Sequence, residues 1–237
     1  MDEERSALAN VGFIQALTAG VDHIPFSTLP DGVPVAYNPG IYAEPMAEHI
    51  LAMAFAAGKR LRQEHAELRD GNFNQFVPNR QMAGSNCAIL GFGGVGRATA
   101  RIFRPLGISI HAINRSGETD EEVDSISTLD NLKQVLKDAN IVVVGLPLTR
   151  KTTGLISDRE LSWMKPDAIL IAPTDKVQLI APLKAAVDQG IKVITVDTFI
   201  DDGMYQDGSG RGDFPLSYIC LLYTSDAADD TPCVALG

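Results

Sequence analysis

The chain has 237 residues, 45% of them apolar, and a mean hydropathy of +0.04, which is enough for one large packed domain or two small ones. A formal net charge of −10 excludes a general nucleic-acid binder, since a phosphate backbone would be repelled. No apolar run is long enough to span a bilayer, so no membrane partner is expected.

The acidic start, MDEERSALAN, lacks the basic-then-apolar plan of a secretory signal. Cys87, Cys220 and Cys233 show neither metal-ligand nor disulfide spacing. The expected setting is reducing and cytoplasmic, with no metal. Val11 to Leu17 reads as a short strand, followed by a turn at Thr18 to Asp22. Gly20 either lets backbone N–H groups face a ligand carboxylate there or is a plain loop glycine; spacing leaves both open. Val33 to Tyr37 is a second strand, closed by Asn38-Pro39-Gly40. Helix signals begin at Ala43 or Glu44, with Pro45 tolerated in the first turn. Met46, Ile50, Met53, Ala54, Ala57 and Leu61 share one helical face. That helix is predicted to continue to Asp70 and stop at Gly71. His49 on it reads as a structural or interface histidine rather than a catalytic one. Residues 72–86 are a polar connection.

Cys87 to Leu90 then leads into Gly91-Phe92-Gly93-Gly94-Val95-Gly96, and a helical pattern follows from Arg97. A G-x-G-x-x-G between strand and helix predicts dinucleotide binding. Gly91 permits the tight turn, Gly93 the close approach of a pyrophosphate, and Gly96 the packing of helix on strand. The N–H groups of the turn, Gly94 and Val95 included, face the phosphates at the positive end of the helix. Strands are then expected at 108–113, 141–146, 168–172 and 191–196, and helices at 129–139, from Ser157, and at 179–189. This alternation predicts an α/β fold with a doubly wound, Rossmann-like parallel sheet. The predicted divisions are 1–42 as a remnant of a substrate domain, 43–200 as the dinucleotide-binding domain with its connecting helix 43–70, and 201–237 as an irregular, disordered tail.

In this fold an acid at the end of the second strand binds the ribose 2′-hydroxyl of NAD. Here that strand ends Asn114-Arg115-Ser116, with no acid. Arg115 either pairs with a 2′-phosphate through its planar fork or is simply solvated. Asn114 and Ser116 can donate hydrogen bonds to the same phosphate. NADP is therefore the expected cofactor ahead of NAD. Asp197, at the end of the last strand, joins the cofactor-side residues.

These pieces together resemble the D-isomer-specific 2-hydroxyacid dehydrogenases over residues 11 to about 168. The matching segments are AGVDHI, AEHILAMAFAAGKRL, ILGFGGVGRATAR, INRSG, VVVGLPLTRKTTGLI and ELSWMKPDAIL. The resemblance implies a substrate domain beside a dinucleotide-binding domain, a homodimer in the intact relative, and hydride transfer on 2-hydroxy or 2-keto acids. It implies that Ala19 and Gly20 meet the substrate carboxylate, and that Leu146, Pro147 and Thr149 border the nicotinamide ribose.

The chain also departs from that family. Members carry more residues before position 11, so a truncated N-terminus is expected. The family's substrate-binding Arg falls at Asp175, an anion that would repel an anionic substrate. Its Glu maps only loosely to Asp202. The four histidines, His23, His49, His65 and His111, all lie upstream of where its proton-donating His belongs. No catalytic residue is therefore assigned, and the expectation is cofactor binding with little turnover. Residues 165–219 resemble the periplasmic sugar-binding proteins of ABC transporters, in which Asp175 and Asp197 would accept hydrogen bonds from sugar hydroxyls. Cys220 to Asp230 match the translation of a transposase-type sequencing adaptor, so residues 220–237 are read as adaptor. The resulting expectation is a composite chain: an incomplete dehydrogenase, a fragment similar to a sugar-binding protein, and the adaptor. The competing readings are that sugar-binding fragment and a non-enzymatic dinucleotide-binding protein.

Overall fold

A computed structural model describes residues 10–17, 19, 21, 24–73, 75–147, 149, 151–172, 180–196 and 218–219. Two short strands, β1 (Ile14–Gln15) and β2 (Val35–Ala36), pair in parallel. Two helices follow, α1 (Ala43–Gly58) and α2 (Leu61–Arg69). The main sheet then starts with β3 (Asn86–Leu90), which runs into α3 (Gly94–Phe103). Next come β4 (Ser109–Ile113), β5 (Ser125–Ser127), α4 (Leu132–Asp138) and β6 (Ile141–Val144). The last described elements are α5 (Asp158–Leu161), β7 (Ile169–Ala172), α6 (Ile180–Asp188), β8 (Lys192–Val196) and β9 (Tyr218–Ile219).

The strands stand in the order β5-β4-β3-β6-β7-β8-β9, and every neighbouring pair is parallel. Parallel strands need crossovers, so helices cover both faces, and β6, β7 and β3 after Asn86 are apolar. The pleat sorts β3 accordingly. Cys87 and Ile89 pack with Ile50, Ala54 and Phe103 on the α1–α3 side. Ala88 and Leu90 pack with Leu132, Leu136, Leu161 and Leu183 on the α4–α6 side. Strands β6 and β7 divide the same way, with Val143 and Ile171 facing one layer and Val142 and Leu170 the other. Burial pushes the Cys87 thiol far above its ordinary range, so it is an inert core residue.

The expected doubly wound sheet is present, with differences at particular elements. The helix predicted over 43–70 is two helices. Arg60 takes a left-handed conformation (φ 55°), which closes α1, and its guanidinium then turns onto Glu64 (3.2 Å) in α2. Leu61, placed on the apolar face, belongs to α2 and is 55% exposed. The buried face of α1 is Ala43, Ala47, Ile50, Ala54 and Gly58, whose small residues give a weak apolar signal in sequence. Gly71 does stop α2: its N–H bonds Leu68 O, and Asn72 N–H bonds Glu67 O. Strand β5 was not expected; its sequence, Ser-Ile-Ser, has one apolar residue. Tyr218–Ile219, assigned to an irregular tail, pairs in parallel with β8.

Asp167 and Lys192 tie the described residues after 165 into the same body. Lys192 Nζ donates to Ala57 O (3.3 Å) at the end of α1, where a cation suits the helix dipole. Arg80 donates to Asn140 O and Asp167 O, at 3.4 and 2.9 Å. Burial, and then the nearby Arg80, lower the Lys192 pKa. Helix α5 starts with a capping box: the Glu160 carboxylate accepts the Ser157 N–H (3.0 Å) and hydroxyl. Burial alone would raise the Glu160 pKa, but those bonds and the Arg159 guanidinium carry it below its ordinary value.

Candidate dinucleotide site at the carboxyl edge of the sheet

Strand β3 connects to β4 on one side, and the chain later returns to β6 on the other. The carboxyl ends of these strands therefore border a crevice where the winding reverses. Backbone bonds close its floor: Gly91 N–H to Ile113 O (2.9 Å) and Gly145 N–H to Leu90 O (2.8 Å). Gly91 has φ +95°, and a Cβ there would lie 2.7 Å from the backbone C and O of Gly145. At Gly96 a Cβ would lie 2.5 Å from Gly91 O and 3.1 Å from Ile89 Cγ2, so only glycine lets α3 sit this close to β3.

Gly93 differs from both. It is extended (φ −89°, ψ −153°), and a Cβ built on it meets no atom of the described residues within 4 Å. The space beside it is open. The first helical bond of α3 is Arg97 N–H to Gly93 O (2.9 Å), so the amides of Gly94, Val95 and Gly96 have no partner within the helix. No side chain caps this end, and its first turn holds no acid. Unpartnered amides, a helix dipole and open space beside a side-chain-free residue suit a pyrophosphate.

At the end of β4, Asn114 shapes a turn: its Oδ1 accepts Gly117 N–H (2.6 Å) and its Nδ2 donates to Glu118 O (2.8 Å). The Ser116 hydroxyl accepts Glu118 N–H (3.3 Å). Asn114 and Ser116 thus build the turn that presents Arg115. Arg115 itself is exposed and makes no ion pair among the described residues. Across the crevice, Leu146 is half-buried, while Pro147 and Thr149 are exposed. Thr152 locks that loop, its hydroxyl donating to Pro147 O and accepting Thr149 N–H (2.8 Å). The structure therefore brings together Gly91, Gly93, Gly94, Val95, Gly96, Leu146 and the 114–116 turn along one edge. Ala19 lies in the β1–β2 part of the chain. Gly20, Asp175, Asp197 and Asp202 lie outside the described residues.

Sequence reasoning missed Gly145, whose backbone contact forces Gly91 to be glycine; the available signal was a glycine directly after the apolar run of β6. It also missed an ion-pair strap on α3. Arg97 pairs with Asp120 (2.5 Å), Arg101 with Glu121 and Glu44 (2.6 Å each), and Arg104 with Glu122 (2.5 Å) and Asp124 (3.5 Å). The hydrogen bond from Arg97 lowers the Asp120 pKa. The spacing of Arg97 and Arg101 along α3, with Arg104 just after it, was readable, but their partners on the β4–β5 loop and on α1 were not.

His49 takes no part in this edge. Its Nε2 is buried without a hydrogen-bond partner among the described residues, and desolvation lowers its pKa from 6.5. A pKa depressed on folding leaves the unfolded chain holding more protons as acidity rises. Stability is thus full above the ordinary imidazole range and falls as pH drops through it. Thermal melts between about pH 7.5 and about pH 5.5 should show a shallower loss for His49→Gln than for the parent chain. Parallel slopes would show that His49 does not titrate with unfolding.

Comparison with known proteins is consistent with this geometry. Residues 51–204 match the sequence model of a family described as D-isomer specific 2-hydroxyacid dehydrogenase, NAD binding domain. The match runs through β7, α6 and β8, past the point where the sequence resembles a sugar-binding protein. A glyoxylate reductase of Thermococcus gammatolerans is 27% identical over 186 residues, which cover 74% of this chain and 56% of that protein. A mouse glyoxylate reductase/hydroxypyruvate reductase is 27% identical over 172 residues, covering 70% and 52%. The chain thus spans about half the length of the curated relatives it matches. Among solved structures, a glycerate dehydrogenase related protein from Thermoplasma acidophilum superposes with a TM-score of 0.61 at 29% identity, covering 80% of this chain and 67% of that one. A D-isomer specific 2-hydroxyacid dehydrogenase from Xanthobacter autotrophicus Py2, in complex with NADPH and MES, superposes at 0.68 with 25% identity, covering 84% and 64%.

Proposed function

Since the chain belongs to the D-isomer specific 2-hydroxyacid dehydrogenase family through its NAD-binding domain, we propose that it binds NADP ahead of NAD and that the intact protein reduces a small 2-keto acid of the glyoxylate or hydroxypyruvate kind. The observation that carries the cofactor reading is the open space at Gly93 beside the unpartnered amides of Gly94, Val95 and Gly96. The bound nicotinamide supplies or accepts the hydride. The amides of 93–96 hold the pyrophosphate, and Leu146, Pro147 and Thr149 border the nicotinamide ribose. Ala19 and Gly20 present backbone N–H groups to the substrate carboxylate. Arg115 pairs with the 2′-phosphate, where an acid would repel it. The NADPH held by the Xanthobacter relative supports the preference by analogy.

Removing Arg115 tests the preference. Arg115→Ala should weaken NADPH binding about tenfold, the worth of one charge-assisted hydrogen-bonded pair, and leave NADH unchanged. Calorimetric titration of both cofactors reads this out. Tighter NADH than NADPH binding by the parent chain rejects it.

Turnover is a separate matter. By the resemblance, Asp175, an anion, falls where the family has its substrate Arg. We infer that this chain holds the cofactor and transfers hydride slowly or not at all. Substantial NADPH-dependent reduction of glyoxylate or hydroxypyruvate would overturn that inference, and its absence alongside tight binding favours a non-enzymatic dinucleotide-binding role. The family resemblance carries a homodimer, and the cysteine usage a cytoplasmic setting, as further expectations. Among the described residues, no helix is long and apolar enough to cross a membrane. A sugar-binding role for 165–219 and an adaptor origin for 220–237 draw no support from the comparisons.

A further inference from the structure

We propose that Asn38 is a positioning residue that makes the β1–β2 unit answer to cofactor seated on α3; the inference rests on the cofactor reading above. Three contacts make a continuous path. The first joins the glycine turn to the start of α1. A Cβ on Gly94 would lie 3.4 Å from Gly40 Cα and 3.5 Å from Ala43 Cβ, so the backbone before α1 lies directly against the amide end of α3. Ala43, Ala47 and Ala98 continue that contact as a cluster of small buried residues. Arg101 on α3 adds a second tie, pairing with Glu44 in the first turn of α1 at 2.6 Å.

The second contact is the turn 38–43 itself. Ile41 N–H bonds Asn38 O (3.4 Å) and Ala43 N–H bonds Gly40 O (3.0 Å), so the turn is short and internally bonded. The third contact is the Asn38 side chain. Its Nδ2 donates to Leu17 O (3.3 Å), and its Oδ1 accepts from Gln15 Nε2 (3.3 Å). Asn38 thereby grips the end of β1, two residues after β2 ends. Side-chain bonds across two chain segments and a small-residue contact on α3 are the kind of packed network that carries coupling between sites. Groups that settle on the α3 amides restrain Gly40 through Gly94, and Asn38 passes the restraint to β1. Two backbone bonds report on β1: Ile14 N–H to Pro34 O (3.0 Å) and Ala16 N–H to Ala36 O (2.8 Å).

Amide hydrogen exchange on the full 237-residue chain, with and without NADPH, tests this. In the parent chain, saturating NADPH should slow exchange at Ile14 and Ala16 about three- to tenfold, the scale of one neutral hydrogen bond. In Asn38→Ala the slowing at these two amides should vanish, while slowing at the Gly93–Gly96 amides and the NADPH affinity persist. Asn38→Asp, which keeps the acceptor for Gln15 and loses the donor to Leu17, should give an intermediate slowing. NADPH binding without slowing at Ile14 and Ala16, or slowing that survives in Asn38→Ala, overturns the proposal and leaves the cofactor reading standing. Failure of the parent chain to bind either cofactor overturns the cofactor reading, and this inference with it.

Discussion

Gly91→Ala should lower the melting temperature by about 10 °C and remove cofactor binding with it. Two effects add. A left-handed conformation costs an L-residue roughly 1–2 kcal/mol, and Gly91 has φ +95°. The new Cβ would also lie 2.7 Å from the backbone of Gly145, which cannot rotate away as a side chain can. Overpacking of this kind costs about 1–3 kcal/mol. Together they take a large share of the ~5–15 kcal/mol that holds a typical domain folded. The damage falls where β3 and β6 meet, so the floor of the crevice opens as the sheet weakens. Calorimetric melts of the variant and the parent chain measure it. An unchanged melting temperature would mean that the close contact between Gly91 and Gly145 is not present in solution.

Gly93→Val should do the opposite. Its side chain enters open space and its backbone is already extended, so stability should change by under about 1 kcal/mol. NADPH affinity should fall by about a hundredfold or more, since the side chain occupies the place where a pyrophosphate meets the amides of 94–96. The contrast between the two glycines separates fold from function within one motif. Equal loss of stability at both positions, or undiminished binding by Gly93→Val, would break the assignment of Gly93 to the phosphate approach.

The sheet was legible because burial on both faces leaves long apolar runs. Strands β3, β6 and β7 were found from those runs. Strand β5 was not, because an edge strand with one apolar residue has no such signature. Helix α1 was found but overextended, since nothing in Gly-Lys-Arg-Leu announces a left-handed Arg60. The roles of Gly91 and Gly96 followed from spacing, since each meets a local steric demand, whereas the role proposed for Gly93 concerns a ligand and not packing. Gly145, and the pairing of Arg97, Arg101 and Arg104 with Asp120, Glu121 and Glu122, depend on partners about 20 to 50 residues away and were out of reach. Asn114 and Ser116, expected to donate to a phosphate, direct part of their hydrogen bonding to the turn that carries Arg115.

Everything turns on backbone N–H groups at one bend meeting a diphosphate. The most direct measurement is an amide-resolved NMR titration of the 237-residue chain with NADPH. The largest shifts should fall on Gly93, Gly94, Val95 and Gly96, with smaller ones at Arg115 and Leu146, and none on α2. Saturable binding that leaves the four amides of that bend unmoved would contradict the account.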